Sequence, residues 1–327
     1  MRHMLYISLF LILYMTLFLL SLSIGVYRVY TPFEAVSLLL WGDSSNVDRA
    51  VVELRLWRSI AATMVGVGLA VSGLIIQRLL GNPMADPYIL GISPGAALGY
   101  LSALAFGLGY PVWYLVAFLG GLAAYATVIS IASIAGLTSL ALIVVGVALS
   151  YALSSLLVIA IFLLGPQLGL AIVWLFGTIA YTSKTESTLL SVVVLVGLVF
   201  IAVNRGALTA LLLGEEVSKA MGVNVEALRL SMTATAAFIV SLITAVSGPV
   251  GFVGLTAPWV ARVTVGASFN RLLVASIIVG AILVIGSDII VRVVGGGREL
   301  PLTAITSLVG APLLLYLSVR GRHAGRL

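Results

Sequence analysis

In 327 residues, 61% are hydrophobic and 9% charged, with a mean hydropathy of +1.23, a composition that no soluble domain can bury. The net charge of +6 is carried by Lys and Arg scattered singly at the ends of apolar runs, so membrane anchoring explains it and nucleic acid is excluded as a partner. Zero cysteines exclude disulfides, thiolate metal sites and cysteine nucleophiles.

Several apolar runs reach the roughly 20 residues that cross a bilayer core of about 30 Å, and they extend along the whole chain. It reads as one all-α polytopic membrane domain over residues 1–327; the short alternating segments of a β-barrel are absent. The first run, 4–26, is too long for a signal-peptide core and is kept as a span. In the polar stretch 27–57, Thr31, Pro32 and Glu34 form a capping box. The short helix it starts runs to Trp41, turns Phe33, Val36 and Leu40 to the membrane surface, and is ended by Gly42.

Spans two and three, 58–80 and 88–109, flank a rigid polar break, Asn82-Pro83-Met84-Ala85-Asp86-Pro87. Small residues at Gly91, Gly95, Gly99, Ala103 and Gly107 leave one side of span three nearly bare, which means close helix packing or a pathway wall. Spans four and five cover 112–135 and 140–164, and the punctuated run from Pro166 and Gln167 to Gly177 reads as a half-helix dipping into the protein. Spans six to ten cover 187–203, 230–246, 250–265, 272–291 and 302–319, interrupted by the longest polar stretch, 214–229.

Ten spans put both termini on one side. If that side is cytoplasmic, the inner ends carry nine basic residues: Arg2, Arg78, Arg205, Lys219, Arg229, Arg271, Arg320, Arg322 and Arg326. The outer ends carry seven, namely Arg28, Arg49, Arg55, Arg58, Lys184, Arg292 and Arg298, which is a slight positive-inside bias. The tetrapeptide Ala70-Val71-Ser72-Gly73, ten residues before Pro83, returns as Ala245-Val246-Ser247-Gly248, ten residues before Pro258. Its copies lie on spans two and seven, which run in opposite directions, the arrangement of an inverted repeat.

Intramembrane chemistry needs ionisable groups at depth, and the chain nearly lacks them. His3 and His323 are terminal, and Asp288, the one acid inside a span, has Arg292 four residues on to compensate it. Ion-coupled transporters place acids at mid-membrane, so self-powered transport is disfavoured. No GxxxxGK[ST] phosphate loop is present, so ATP is not hydrolysed on this chain. Any such energy arrives through a partner. In the polar stretch, Glu215 and Lys219 pair at i, i+4 on a short helix that Gly222 ends in a left-handed cap. Asn224 then caps a second short helix with Glu226 in its first turn. With Val217, Met221 and Val223 among the charges, this reads as a docking knob or as an ordinary solvated loop.

Five segments resemble one family. They are Arg55-Leu56-Trp57-Arg58, LAVSGLIIQRLLGNPMADPYILGIS from Leu69, LGEEVSKAMGV from Leu213, GPVGFVGLTAP from Gly248 and ELPLTAITSLVGAP from Glu299. In this order they are similar to the FecCD family, the permease subunits of ABC importers for ferric siderophores, haem and cobalamin. The resemblance covers residues 50 to 320 and implies a type II ABC importer permease fold, with coupling helices over 214–228 that seat on a cytoplasmic ATPase dimer. Gly214, Glu215, Glu216, Lys219, Ala220, Met221, Gly222 and Val223 then carry the coupling. Asn82, Met84, Thr138 and Ser139 take the place of gate residues, and Arg55, Arg58, Arg292 and Arg298 dock an extracytoplasmic substrate-binding protein. A second permease copy completes a homodimer in the cell membrane with both termini cytoplasmic. No metal or cofactor belongs to this chain, ATP and Mg being held by the ATPase. Trp57 and Trp259 depart from the family's usual Pro and His. The alternative is an ion-coupled secondary transporter of a small solute.

Overall fold

A computed structural model describes residues 2–43, 47–165 and 169–323. Pro166, Gln167 and Arg326 lie outside the described residues, among which there is no strand. The helices follow as α1 (Arg2–Ser23), α2 (Pro32–Trp41), α3 (Val47–Leu80), α4 (Ile92–Ala105), α5 (Val112–Ile134), α6 (Ser139–Leu164) and α7 (Gly169–Leu175). They continue as α8 (Lys184–Val203), α9 (Arg205–Ala210), α10 (Glu215–Ala220), α11 (Val225–Ser247), α12 (Val253–Val265), α13 (Phe269–Gly295) and α14 (Leu302–His323).

Each expected span coincides with a helix: α1, α3, α4, α5, α6, α8, α11, α12, α13 and α14. Among the described residues seven of these, all but α4, α12 and α14, are long and apolar enough to cross a membrane unaided. Three boundaries differ from the sequence reading. Helix α3 begins at Val47 rather than Arg58 and has 34 residues, about 51 Å at 1.5 Å per residue. Residues 47–57 contain no Pro or Gly, and Val52 among them is fully buried beside Leu22, Tyr30 and Ala35, so packing holds as helix what its charges made look like loop. Trp57 therefore sits inside a helix, where a proline would remove a backbone donor. Arg205 starts a further short helix, α9. Asn224 caps α11 itself, with no separate short helix before the span.

Contacts divide the chain into two compact units. The first is Met1–Ala70, Phe176–Val194 and Val250–Leu327. Within it α1 and α12 pack on α13, and α14 packs on α12 and α13. Helices α3 and α13 meet backbone to backbone: a methyl group at Gly66 would lie 2.2 Å from the Gly280 carbonyl oxygen, and one at Gly280 would lie 2.3 Å from that of Gly66. Such close crossings replace the missing hydrophobic drive between helices in lipid with dispersion contact. The capping box of α2 is formed in both directions, Glu34 N–H to Thr31 Oγ1 at 3.2 Å and Thr31 N–H to Glu34 Oε2 at 2.7 Å.

The second unit is Val71–Leu175 and Leu195–Pro249. Here the small-residue stripe resolves into packing. Gly95 lies against Gly120 of α5, and Gly99 against the Val116 carbonyl, where an added methyl would approach to 2.4 Å. Gly91 and Gly107 are left-handed end residues rather than members of that face. The expected half-helix is α7. Its Trp174 stacks on Tyr100 with ring centroids 4.0 Å apart and donates Nε1–H to the Ala245 carbonyl at 3.2 Å. The two Ala-Val-Ser-Gly copies have different surroundings, the first continuing as helix in α3 and the second ending α11.

Candidate functional site

Helix α10 is short, and its ends explain it. Glu215 and Glu216 occupy its first turn and Lys219 its last, the order that opposes the helix dipole. At its far end Gly222, at φ +84°, donates to the Lys219 carbonyl at 2.9 Å, and Val223 N–H reaches back to Ser218 at 3.0 Å. These two bonds make a Schellman cap. Gly214, Glu215, Glu216, Lys219, Ala220, Met221 and Gly222 are all exposed, and Val217 adds apolar surface among them.

The expected pairing of Glu215 with Lys219 is not what forms. Glu215 Oε1 accepts from the guanidinium of Arg229, a residue of α11 only 6% exposed. Local spacing favoured the lysine, but the same unit charge costs more to leave unpaired on a buried arginine than on an exposed lysine. The same guanidinium donates Nη1–H to the Leu137 carbonyl at 2.8 Å and Nη2–H to Ser139 Oγ at 3.4 Å. Ser139 Oγ in turn donates to the Leu79 carbonyl, 3.1 Å away in the last turn of α3. Thr138 is the N-cap of α6 and accepts from Ala141 N–H at 3.1 Å. Thr138, Glu215, Lys219, Val223, Glu226 and Arg229 are among the residues lining a polar cavity of about 300 Å³. The structure thus gathers Thr138, Ser139, Glu215, Lys219 and Val223, all singled out in the sequence, around one residue, Arg229, that the sequence reading left as a loop end. The sequence held part of the signal, since Val225, Leu228 and Met232 recur at helical spacing around Arg229, but not its distant partners.

Beyond Leu79 the chain leaves α3 through Gly81 and enters the NPMADP turn. Asn82 Oδ1 accepts from Met84 N–H at 2.9 Å, and Asp86 Oδ1 from Tyr88 N–H at 2.8 Å, capping a 3-10 turn, Pro87–Leu90. Burial pushes the Asp86 carboxyl up to about 6, against the pull of the Tyr88 amide. Met84 and Asp86, with Tyr88, Val147, Ser150, Tyr151 and Ser154, line a second cavity of about 410 Å³.

The other group of sequence candidates lies in the first unit. Arg58 binds two acids, with Nε and Nη2 2.9 and 2.8 Å from Asp288 Oδ1 and Nη1 2.9 Å from Glu299 Oε1. Arg292 lies 2.7 Å from Asp288 Oδ2, the pairing expected at i, i+4, and donates to the Ser21 carbonyl at 2.8 Å. Arg55 donates to the carbonyls of Ser23 at 2.8 Å and Arg28 at 2.6 Å. Arg55 and Arg292 therefore satisfy carbonyls at the C-terminal end of α1, where positive charge is favoured. Both are buried, whereas Arg298 is exposed. At position 57 the indole lies under Lys184 Nζ, 5.3 Å from the ring centroid, and Trp259 is buried in α12.

Residues 12–320 match the FecCD transport family. The chain belongs to the FecCD transport family. Among relatives, the vitamin B12 import system permease protein BtuC of Vibrio cholerae is 36% identical, over 90% of this chain and 88% of its own. The Fe(3+)-citrate import system permease protein YfmD of Bacillus subtilis is 31% identical, over 93% of this chain and 91% of its own. The fold is similar to an inward-facing conformation solved for a metal-chelate type ABC transporter, with a TM-score of 0.84 and 28% identity over 97% of this chain and 99% of that one. FecCD membership makes this chain a multi-pass membrane permease subunit of an ABC importer rather than an enzyme, and it implies a partner ATPase and a binding protein.

Proposed function

We propose that this FecCD permease carries a metal chelate of the iron-siderophore, haem or cobalamin class into the cell, delivered by a binding protein and driven by ATP hydrolysis on the partner. The observation that carries this reading is the near end-to-end likeness to the metal-chelate type transporter. In this reading both termini are cytoplasmic and a second copy of the chain completes the pathway. Residues 214–223 seat on the ATPase, and Asn82, Met84, Thr138 and Ser139 guard the inner mouth. On the opposite side Arg298, exposed, meets acidic residues of the binding protein, while Arg55, Arg58 and Arg292 hold the surface around it.

The test is reconstitution in vesicles with and without the ATPase and binding protein, reading chelate uptake. Uptake is expected only with all components and ATP. Uptake by the permease alone on an ion gradient would establish the secondary-transporter alternative instead.

A further inference from the structure

We infer that Arg229 is the positioning residue through which a displacement of α10 reaches the turn before α6 and the end of α3. The inference rests on the importer reading above, which places α10 on the ATPase. Its geometry is independent of that reading. One guanidinium, 6% exposed, holds three separate pieces of chain: Glu215 at the start of α10, the Leu137 carbonyl, and Ser139 at the start of α6. Ser139 passes the connection to Leu79, two residues before Gly81 and the NPMADP turn. The Arg229 Nε is buried without a partner among the described residues.

The nature of the partners argues for transmission rather than anchorage. Leu137 stands at φ +50°, a left-handed conformation that a branched side chain rarely adopts, directly after Gly136 at φ +78°. Such a turn persists because its surroundings hold it, and the guanidinium is what holds its carbonyl. Glu215 is half exposed on a six-residue helix with no buried apolar face of its own. Pulling Glu215 away leaves a buried cation that must follow its carboxylate or lose it, and either outcome loosens the Leu137 carbonyl and Ser139 together. Nη1 serves the Leu137 carbonyl while Nη2 serves both Ser139 Oγ and the Glu215 carboxylate, an arrangement that a planar fork fixes; an ammonium is a point charge without that fixed geometry.

The experiment uses the complete complex in vesicles and reads chelate taken up per ATP hydrolysed for wild type, R229K and E215Q. Each variant is expected to lower that ratio about tenfold, the size of an ordinary coupling free energy. A merely structural arginine would lower the amount of folded complex, and both rates with it, and leave the ratio unchanged. Should R229K fail to assemble, E215Q at its half-exposed position carries the same test. Because the chain has no cysteine, a nitroxide on I134C reports the neighbouring turn directly. Its ATP-dependent spectral change is expected in wild type and lost in both variants. An unchanged ratio and an unchanged spectral response in a transporting complex would overturn the role of Arg229 alone. No ATP-driven uptake by the wild-type complex would overturn the importer reading and this inference with it.

Discussion

Two buried arginine clusters in this molecule are built on opposite plans. Around Asp288, two arginines meet two carboxylates, so the charge closes on itself, and three of the four residues are on the long helices α3 and α13. Around Glu215, one arginine meets one half-exposed carboxylate, and its remaining bonds go to a left-handed turn and to the first residue of α6. A balanced cluster between long helices fixes a geometry. A single cation whose one counter-charge stands on a six-residue helix leaves a geometry that can be exchanged. Burial alone does not separate the two; what the partners stand on does.

The comparison breaks most visibly at Asp288. Asp288→Ala leaves Arg58 and Arg292 side by side with one acid between them, and unfolding in detergent should register a loss of about 3–5 kcal/mol, the usual cost of orphaning a buried charge. A loss under about 1 kcal/mol would mean that the cluster is hydrated and the contrast false. Asp86 offers an intermediate case, a carboxyl answered by a backbone amide. Its folded value, about 6, lies above the ordinary 3.8, so between these values the folded state binds more protons than the unfolded one. Stability from this group is therefore greatest below pH 3.8, falls as pH rises through that window, and is lost above about 6. Asp86→Asn should flatten this part of the melting-temperature profile, and an unaltered slope would contradict the assignment. A smaller effect belongs to Glu215→Gln, whose amide oxygen still accepts from the buried Arg229 at a half-exposed position; it should cost about 1–3 kcal/mol. A loss as large as that at Asp288 would show the second cluster to be an anchor as well.

Legibility in the sequence followed the range of the interactions. The spans, the capping box at Thr31 and the Gly222 cap depend on residues a few positions apart, and all were readable. So was the Asp288–Arg292 pair, one helical turn long. Helix α3 was read too short because Arg49, Glu53 and Arg55 look like loop residues until Val52 is seen packed under Tyr30 and Arg58 is seen bound to Asp288, 230 positions away. Arg229 was missed for the same reason, since its partner Leu137 lies 92 positions back. Glu215 shows the converse, a plausible neighbour in Lys219 displaced by a partner that only folding supplies.

Helix α4 has 14 residues, about 21 Å, well short of a bilayer core of about 30 Å. The four-residue 3-10 turn before it adds about 8 Å at 2.0 Å per residue, with Gly91 at φ +77° as the joint between them. This crossing is therefore two short pieces meeting at a left-handed residue, whereas the 27-residue α13 is one rod. When the hydrocarbon layer thins, a rod must tilt as a whole. A helix as short as α4 is met instead by local thinning of the hydrocarbon layer or by snorkelling of its flanking residues.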